Sequence, residues 1–147
     1  MSHVVEFECR CDTFRGVAAP GVRWLSVTED AALLDRHFVD NGVEPNTPEG
    51  WAEIEAEGYR YAGYVEDGRL RCMAGFWTYS ADAWGLVAVG TLASVRGRGI
   101  ATAVCSLITA HILRSVPRAT TSTMSHNAAM IRVAEKLGYR RAPTTPA

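Results

Sequence analysis

The sequence predicts a domain of mixed α/β (α+β) class, and three observations carry that reading. Two strand-like runs, Tyr59 to Glu66 and Arg69 to Ser80, flank Asp67-Gly68, a dipeptide suited to a two-residue hairpin turn. Ile100, Val104, Leu107, Ile108 and Ile112 recur at the helical period, shortly after a long apolar strand candidate, Trp84 to Leu92. A further strand, Ala119 to Met124, and helix, Asn127 to Leu137, follow. The chain therefore runs hairpin, strand, helix, strand, helix.

From the start, Val5, Phe7 and Cys9 alternate with Glu6 and Glu8, which predicts a first strand over residues 4–9. Arg15 to Gly21 reads as a loop, and Val22 to Val27 as a second strand. Thr28 is placed to cap a helix reaching Asp40, with Glu29 and Asp30 at its positive end and Ala31, Leu34 and Phe38 facing inward. Asn41-Gly42 stops it. Thr47-Pro48 opens the next helix, with Trp51 and Ile54 on its apolar face and Gly58 closing it. Trp84 to Leu92 is apolar enough for a central strand. The long helix runs from about Gly99 to Ser115, and Pro117 ends it. Gly138 caps the last helix, and Tyr139 to Arg141 leaves only a stub of strand. Residues 1–147 are read as one domain, with 142–147 as a frayed tail.

Hydrophobic residues make up 48% and charged residues 21%, a globular balance. The net charge of -1 excludes a broad nucleic-acid footprint. Fourteen of the 15 basic residues are arginine, the side chain whose fixed fork of donors suits oxyanions. Cys9, Cys11, Cys72 and Cys105 lack metal-ligand spacing, so buried reduced thiols and no metal are expected. Met1 to Arg10 has no apolar run of the signal-peptide kind. Ile100 to Leu113 is interrupted by polar residues and is shorter than the roughly 20 residues of a membrane span. The expectation is a cytoplasmic protein with no membrane and no nucleic-acid partner.

The segment Val89 to Thr102 carries the chemistry. A buried strand runs into Arg96-Gly97-Arg98-Gly99 and then into a helix. Gly97 and Gly99 permit positive φ and close approach of a ligand. The helix start adds unpaired N–H groups and a positive dipole end, which together form an oxyanion cradle. Arg96 and Arg98 add charge, and Thr102 places a hydroxyl in the first turn. The P-loop pattern fails here, because Ile100-Ala101 stands where Lys-Ser/Thr is required. The dinucleotide fingerprint fails as well, because the loop opens with Arg rather than Gly.

Arg96-Gly97-Arg98-Gly99-Ile100-Ala101 resembles the Q/R-x-x-G-x-G/A signature of the GNAT superfamily of N-acetyltransferases. Asn127, Met130 and Glu135-Lys136-Leu137-Gly138-Tyr139 resemble that family's last helix. The resemblance covers about residues 59–140. It implies acetyl-CoA as cosubstrate and a mostly antiparallel central sheet flanked by helices. It also implies a splay between the fourth and fifth family strands that receives the pantetheine arm. Val89, Gly90 and Thr91 would then offer backbone hydrogen bonds, with the Thr91 backbone as oxyanion donor. Gly90 suits the bulge of the fourth strand. The loop Arg96, Gly97, Arg98, Gly99, Ile100, Ala101 and Thr102 would hold the pyrophosphate, and Asn127 the arm. The polar run Thr120-Thr121-Ser122-Thr123 is open to two readings, an edge strand or the lining of the splayed cleft.

Three positions depart from the family. Gly85 and Ser122 stand where some members carry Glu on the fourth and fifth strands, and Ala134 where many carry Tyr. The remaining acid–base candidates are His126, Asp82, Tyr79 and Glu44. His126 ranks first because imidazole titrates near neutrality. His3, His37 and His111 are read as bystanders. Tyr59, Tyr61, Tyr64, Trp77 and Tyr79 alternate in facing, and those on the cleft side suit stacking of an acceptor. The resemblance implies acetyl transfer to an amine, either a small molecule or a peptide N-terminus, in a ternary complex. The alternative is a non-catalytic acyl-CoA-binding sensor on the same fold. The short finish after Tyr139 leaves the sheet edge to be covered by Val4 to Cys9 or by a partner subunit, which keeps a homodimer open.

Overall fold

The computed structural model describes residues 2–91 and 97–142. The chain order is β1 Val4–Cys9, β2 Val22–Trp24, α1 Ala31–Asp40, α2 Pro48–Ala56, β3 Tyr59–Glu66, β4 Arg69–Trp77, β5 Ala83–Thr91, α3 Ile100–Ser115, β6 Arg118–Met124, α4 Ala128–Lys136 and β7 Arg140–Arg141. Seven strands form one sheet in the order β2-β3-β4-β5-β6-β1-β7. All neighbours are antiparallel except β5 and β6, which α3 joins in parallel.

The hairpin turn forms where expected, although its return strand stops at Trp77, three residues before Ser80. Asp67 (φ 53°) and Gly68 (φ 71°) both take positive φ, as a turn matched to strand twist demands. Thr47 caps α2 by accepting from Gly50 N at 2.9 Å. The start of α1 differs from the sequence reading. Its N-cap is Asp30, not Thr28, and no side chain caps it. The Asp30 carboxylate is already held by Arg23 and Ser26 N, while Ser26 Oγ accepts from Thr28 N and Glu29 N. These bonds make residues 26–30 a turn rather than helix. β2 also ends three residues early, although Leu25 and Val27 remain buried.

Two apolar layers hold the sheet. α3 and α4 bury one face with Phe7, Phe76, Leu86, Val104, Ile108 and Leu137. α1 and α2 cover the other face at β3 and β4, with Leu34, Trp51, Tyr61, Leu70 and Met73. His37, expected as a bystander, is 4% exposed, and its Nδ1 lies 3.0 Å from Leu70 O. Cys9, Cys72 and Cys105 are buried free thiols, whereas Cys11 is exposed.

β1 covers the flank of β6 along its whole length, from Val4↔Met124 to Cys9↔Ala119. The stub β7 then pairs with β1. Within this chain, then, β6 is an interior strand. Its polar sequence has a local cause: Thr120 Oγ1 donates to Trp84 O at 3.5 Å and Thr121 Oγ1 to Leu86 O at 3.1 Å. These hydroxyls satisfy β5 carbonyls at the place where ladder bonding gives out.

Candidate active site

Side-chain hydroxyls take over there because β5 and β6 separate. Their ladder covers only Ala83↔Arg118, Trp84↔Ala119 and Gly85↔Thr120, yet β5 continues to Thr91 and β6 to Met124. Beyond Gly85, β5 shows β6 a backbone edge without a strand partner. The expected splay is present. β5 also carries the expected irregularity: Met73 opposes Gly90 and Gly75 opposes Val87, so one extra residue bulges at 88–89, immediately before Gly90.

At the C-terminal end of β5 the chain passes through residues 92–96, including Arg96, which lie outside the described residues. It re-enters at Gly97 and Gly99, with φ of 79° and 76°. A Cβ at either glycine would meet none of the described residues within 4 Å, so none of them fills the space above the loop. Gly99 is the N-cap of α3, and Ala103 N–H bonds back to Gly99 O at 3.1 Å. The preceding N–H groups, at the start of a 16-residue helix, have no acceptor among the described residues. Ile100 and Thr102 have buried side chains, so they can serve a ligand here through their backbone N–H groups.

Arg98 is engaged by its own chain. Its guanidinium donates to both Glu66 oxygens, at 2.8 and 3.3 Å, and to Tyr64 Oη at 3.2 Å. That pairing, with a further bond from Tyr64, holds the Glu66 carboxyl at about 2, well below its ordinary value. The Glu66 bond in turn pushes the Tyr64 phenol up. Arg98 therefore ties the loop to the β3–β4 hairpin, a link across 32 residues of sequence.

At the vertex of the splay a cleft of about 570 Å³ opens on the face that carries α1 and α2, beyond the strands those helices cover. Gly85, Leu86 and Val87 meet Thr120, Thr121 and Ser122 there. Of the two readings of the threonine run, the structure shows cleft lining. Trp77 and Tyr79 form one wall, 39% and 45% exposed. Trp77 stacks on Tyr59 with centroids 5.4 Å apart, and Tyr79 Oη lies 2.9 Å from Thr120 Oγ1. The Tyr79 ring sits 3.5 Å from where a Cβ of residue 85 would stand, so it fills the space beyond Gly85.

The other candidates scatter. His126 is past the end of β6, with Nδ1 2.8 Å from Ser2 Oγ, and it does not line the cleft. Ala134 is wholly buried against the core. Asp82 accepts from Ser80 and pairs with Arg118. Glu44 borders a separate hollow beside His37 and Trp51. Asn127 caps α4 by accepting from Met130 N at 3.2 Å, and its Nδ2 has no partner among the described residues. Sequence reasoning missed Glu6 and Glu8, which line the cleft from β1. Their alternation with apolar residues marks a solvent face, but only strand pairing shows which surface that face adjoins.

An acetyltransferase (GNAT) domain family model matches residues 14–140. No curated protein sequence matches the chain. Solved structures share the fold. One is an acetyltransferase of the GNAT family from Novosphingobium aromaticivorans, 23% identical, with a TM-score of 0.71 over 95% of this chain and 61% of that one. Another is an acetyltransferase from Colwellia psychrerythraea, 19% identical, with a TM-score of 0.72 over 97% and 54%. A third is an aminoglycoside N-acetyltransferase in complex with CoA, 15% identical, with a TM-score of 0.62 over 86% and 96%. The chain thus spans about three fifths of the first of these and about half of the second.

Proposed function

The chain belongs to the GNAT acetyltransferase family, and from that premise we propose that it moves an acetyl group from acetyl-CoA to an amine by direct attack in a ternary complex. One observation carries this reading: the strand that parts from its neighbour at Gly85 leads into a positive-φ loop at a helix start. A diphosphate on a long arm fits that pair of features, a cradle with open space above it and an unpaired strand edge beside it.

The backbone N–H groups of Gly97 to Thr102 would hold the diphosphate, with Arg96 adding charge. Val89, Gly90 and Thr91 would run beside the pantetheine arm. The acyl carbonyl would lie farther along the unpaired edge of β5, toward Leu86, where a backbone N–H of that edge would be the oxyanion donor in place of Thr91. Asn127 would donate to the arm through Nδ2. Acetyl-CoA supplies an activated acyl thioester when bound. The amine would enter from the opposite end, through the cleft at Gly85 and Thr120. Among the described residues the cleft lining holds no histidine; its carboxylates are Glu6 and Glu8 on β1 and its phenol is Tyr79, bonded to Thr120, while residues 85, 122 and 134 carry neither group. On this reading the amine arrives already neutral, and His126 takes no proton.

Thiol release from acetyl-CoA, followed across a panel of amines with both substrates varied, tests the proposal. Intersecting initial-rate lines and an N-acetylated product are expected. Tight acetyl-CoA binding with no release for any amine would replace this reading with that of a binding module.

A further inference from the structure

We propose that Glu6 receives a cationic group of the acceptor, and hence that the acceptor is a primary amine carrying a second positive charge. The inference rests on the acetyl-transfer reading and adds a substrate class to it.

Glu6 lies on β1, a strand that precedes the residues matched by the family. In the register of β1 with β6, Glu6 faces Ser122 and Glu8 faces Thr120, and all four line the cleft. The two carboxylates are not equivalent. Glu8 is held by Arg10 at 2.8 Å and by Arg118 at 3.5 Å, and Arg140 stands opposite it on β7. Arg118 also pairs with Asp82. Glu6 has no hydrogen bond or ion pair to its carboxylate among the described residues. The cleft wall therefore shows one exposed anionic group for which the described residues supply no cation.

Across the cleft, Trp77 and Tyr79 are aromatic, half-exposed and held in place by Tyr59 and Thr120. A carboxylate and aromatic rings lining one cleft suit an organic cation whose hydrocarbon body lies along the rings and whose charge reaches the carboxylate. The nitrogen that attacks a thioester must have its lone pair free, so it is uncharged at that moment. The charge that meets Glu6 then belongs to another group of the same molecule. Diamines, polyamines and sugars carrying two or more amino groups fit. Free amino acids do not, because their carboxylate would face Glu6. Glu6 makes and breaks no bond; it selects and positions.

The test compares 1,4-diaminobutane with n-butylamine as acceptors for the wild type and Glu6→Gln. The wild type is expected to favour the diamine about tenfold in kcat/KM, the scale of one charge-assisted contact. Glu6→Gln should raise KM for the diamine by a similar factor. Its kcat, its KM for n-butylamine and its KM for acetyl-CoA should stay put, and Glu6→Asp should recover part of the preference. Equal use of the two amines by the wild type, or a diamine KM indifferent to Glu6→Gln, overturns this proposal and leaves acetyl transfer standing. Absence of thiol release with every amine, despite acetyl-CoA binding, overturns both.

Discussion

Replacing Gly99 by valine separates two roles of one residue. In the free protein the expected cost is backbone strain, because φ is 76° and a Cβ would meet none of the described residues within 4 Å. Holding a non-glycine residue there costs about 1–2 kcal/mol. For a chain of this size that lowers Tm by about 2–8 °C. With CoA present the added isopropyl group stands where the diphosphate is expected. Losing two charge-assisted N–H bonds at about 1.5–3 kcal/mol each would weaken binding by about 3–6 kcal/mol, more than a hundredfold. Gly42 supplies the control, with φ of 73° and equally open surroundings but far along the chain from the loop. Calorimetric titration with acetyl-CoA and thermal unfolding should give Gly42→Val the same loss of Tm with native affinity. The reasoning fails if Gly99→Val binds acetyl-CoA as the wild type does.

Phe7 is 1% exposed on β1, so Phe7→Ala should cost about 3–5 kcal/mol in urea unfolding, and deletion of residues 1–10 should cause aggregation; a soluble truncation with unchanged Tm would refute the edge-covering role of β1. Tyr139→Phe orphans the buried Thr109 hydroxyl that it meets at 2.8 Å, and should cost about 1–3 kcal/mol in the same assay. Glu66 is held at about 2 in the folded chain against an ordinary 4.5, so its pairing with Arg98 stabilises the fold above pH 4.5 and is lost as pH falls toward 2. An NMR titration should place the carboxyl midpoint near 2 and see it rise in Arg98→Ala; a wild-type midpoint in the ordinary range contradicts the pairing. For catalysis, kcat/KM should rise with pH along the ionisation of the amine, and His126→Ala should keep the shape of that profile; a vanished acidic limb would make His126 the base.

Much of the fold is legible in the sequence where signals are local. Asp67-Gly68, Thr47-Pro48 and the alternation at Val5, Phe7 and Cys9 each set an element by short-range chemistry, and those elements stand where they are expected. The loop glycines are legible for the same reason. What escapes is pairing over distance. Nothing near Arg98 announces that Glu66 will take its guanidinium, and nothing near Glu6 announces Ser122 as its neighbour. The helix start at Thr28 misleads because Asp30 bonds backward to Ser26 and Arg23 instead of capping. His37 reads only as a bystander on a helix; its burial beside Leu70 O comes from the packing of α1 on β4.

The central claim concerns where acyl-CoA binds, and a crystal structure of the acetyl-CoA complex tests it most directly. The diphosphate should lie on the N–H groups of Gly97 to Thr102, with the acyl arm between β5 and β6 reaching toward Leu86 and Thr121. Acetyl-CoA bound in the hollow beside His37 and Trp51, or anywhere that leaves the gap between β5 and β6 empty, would contradict it.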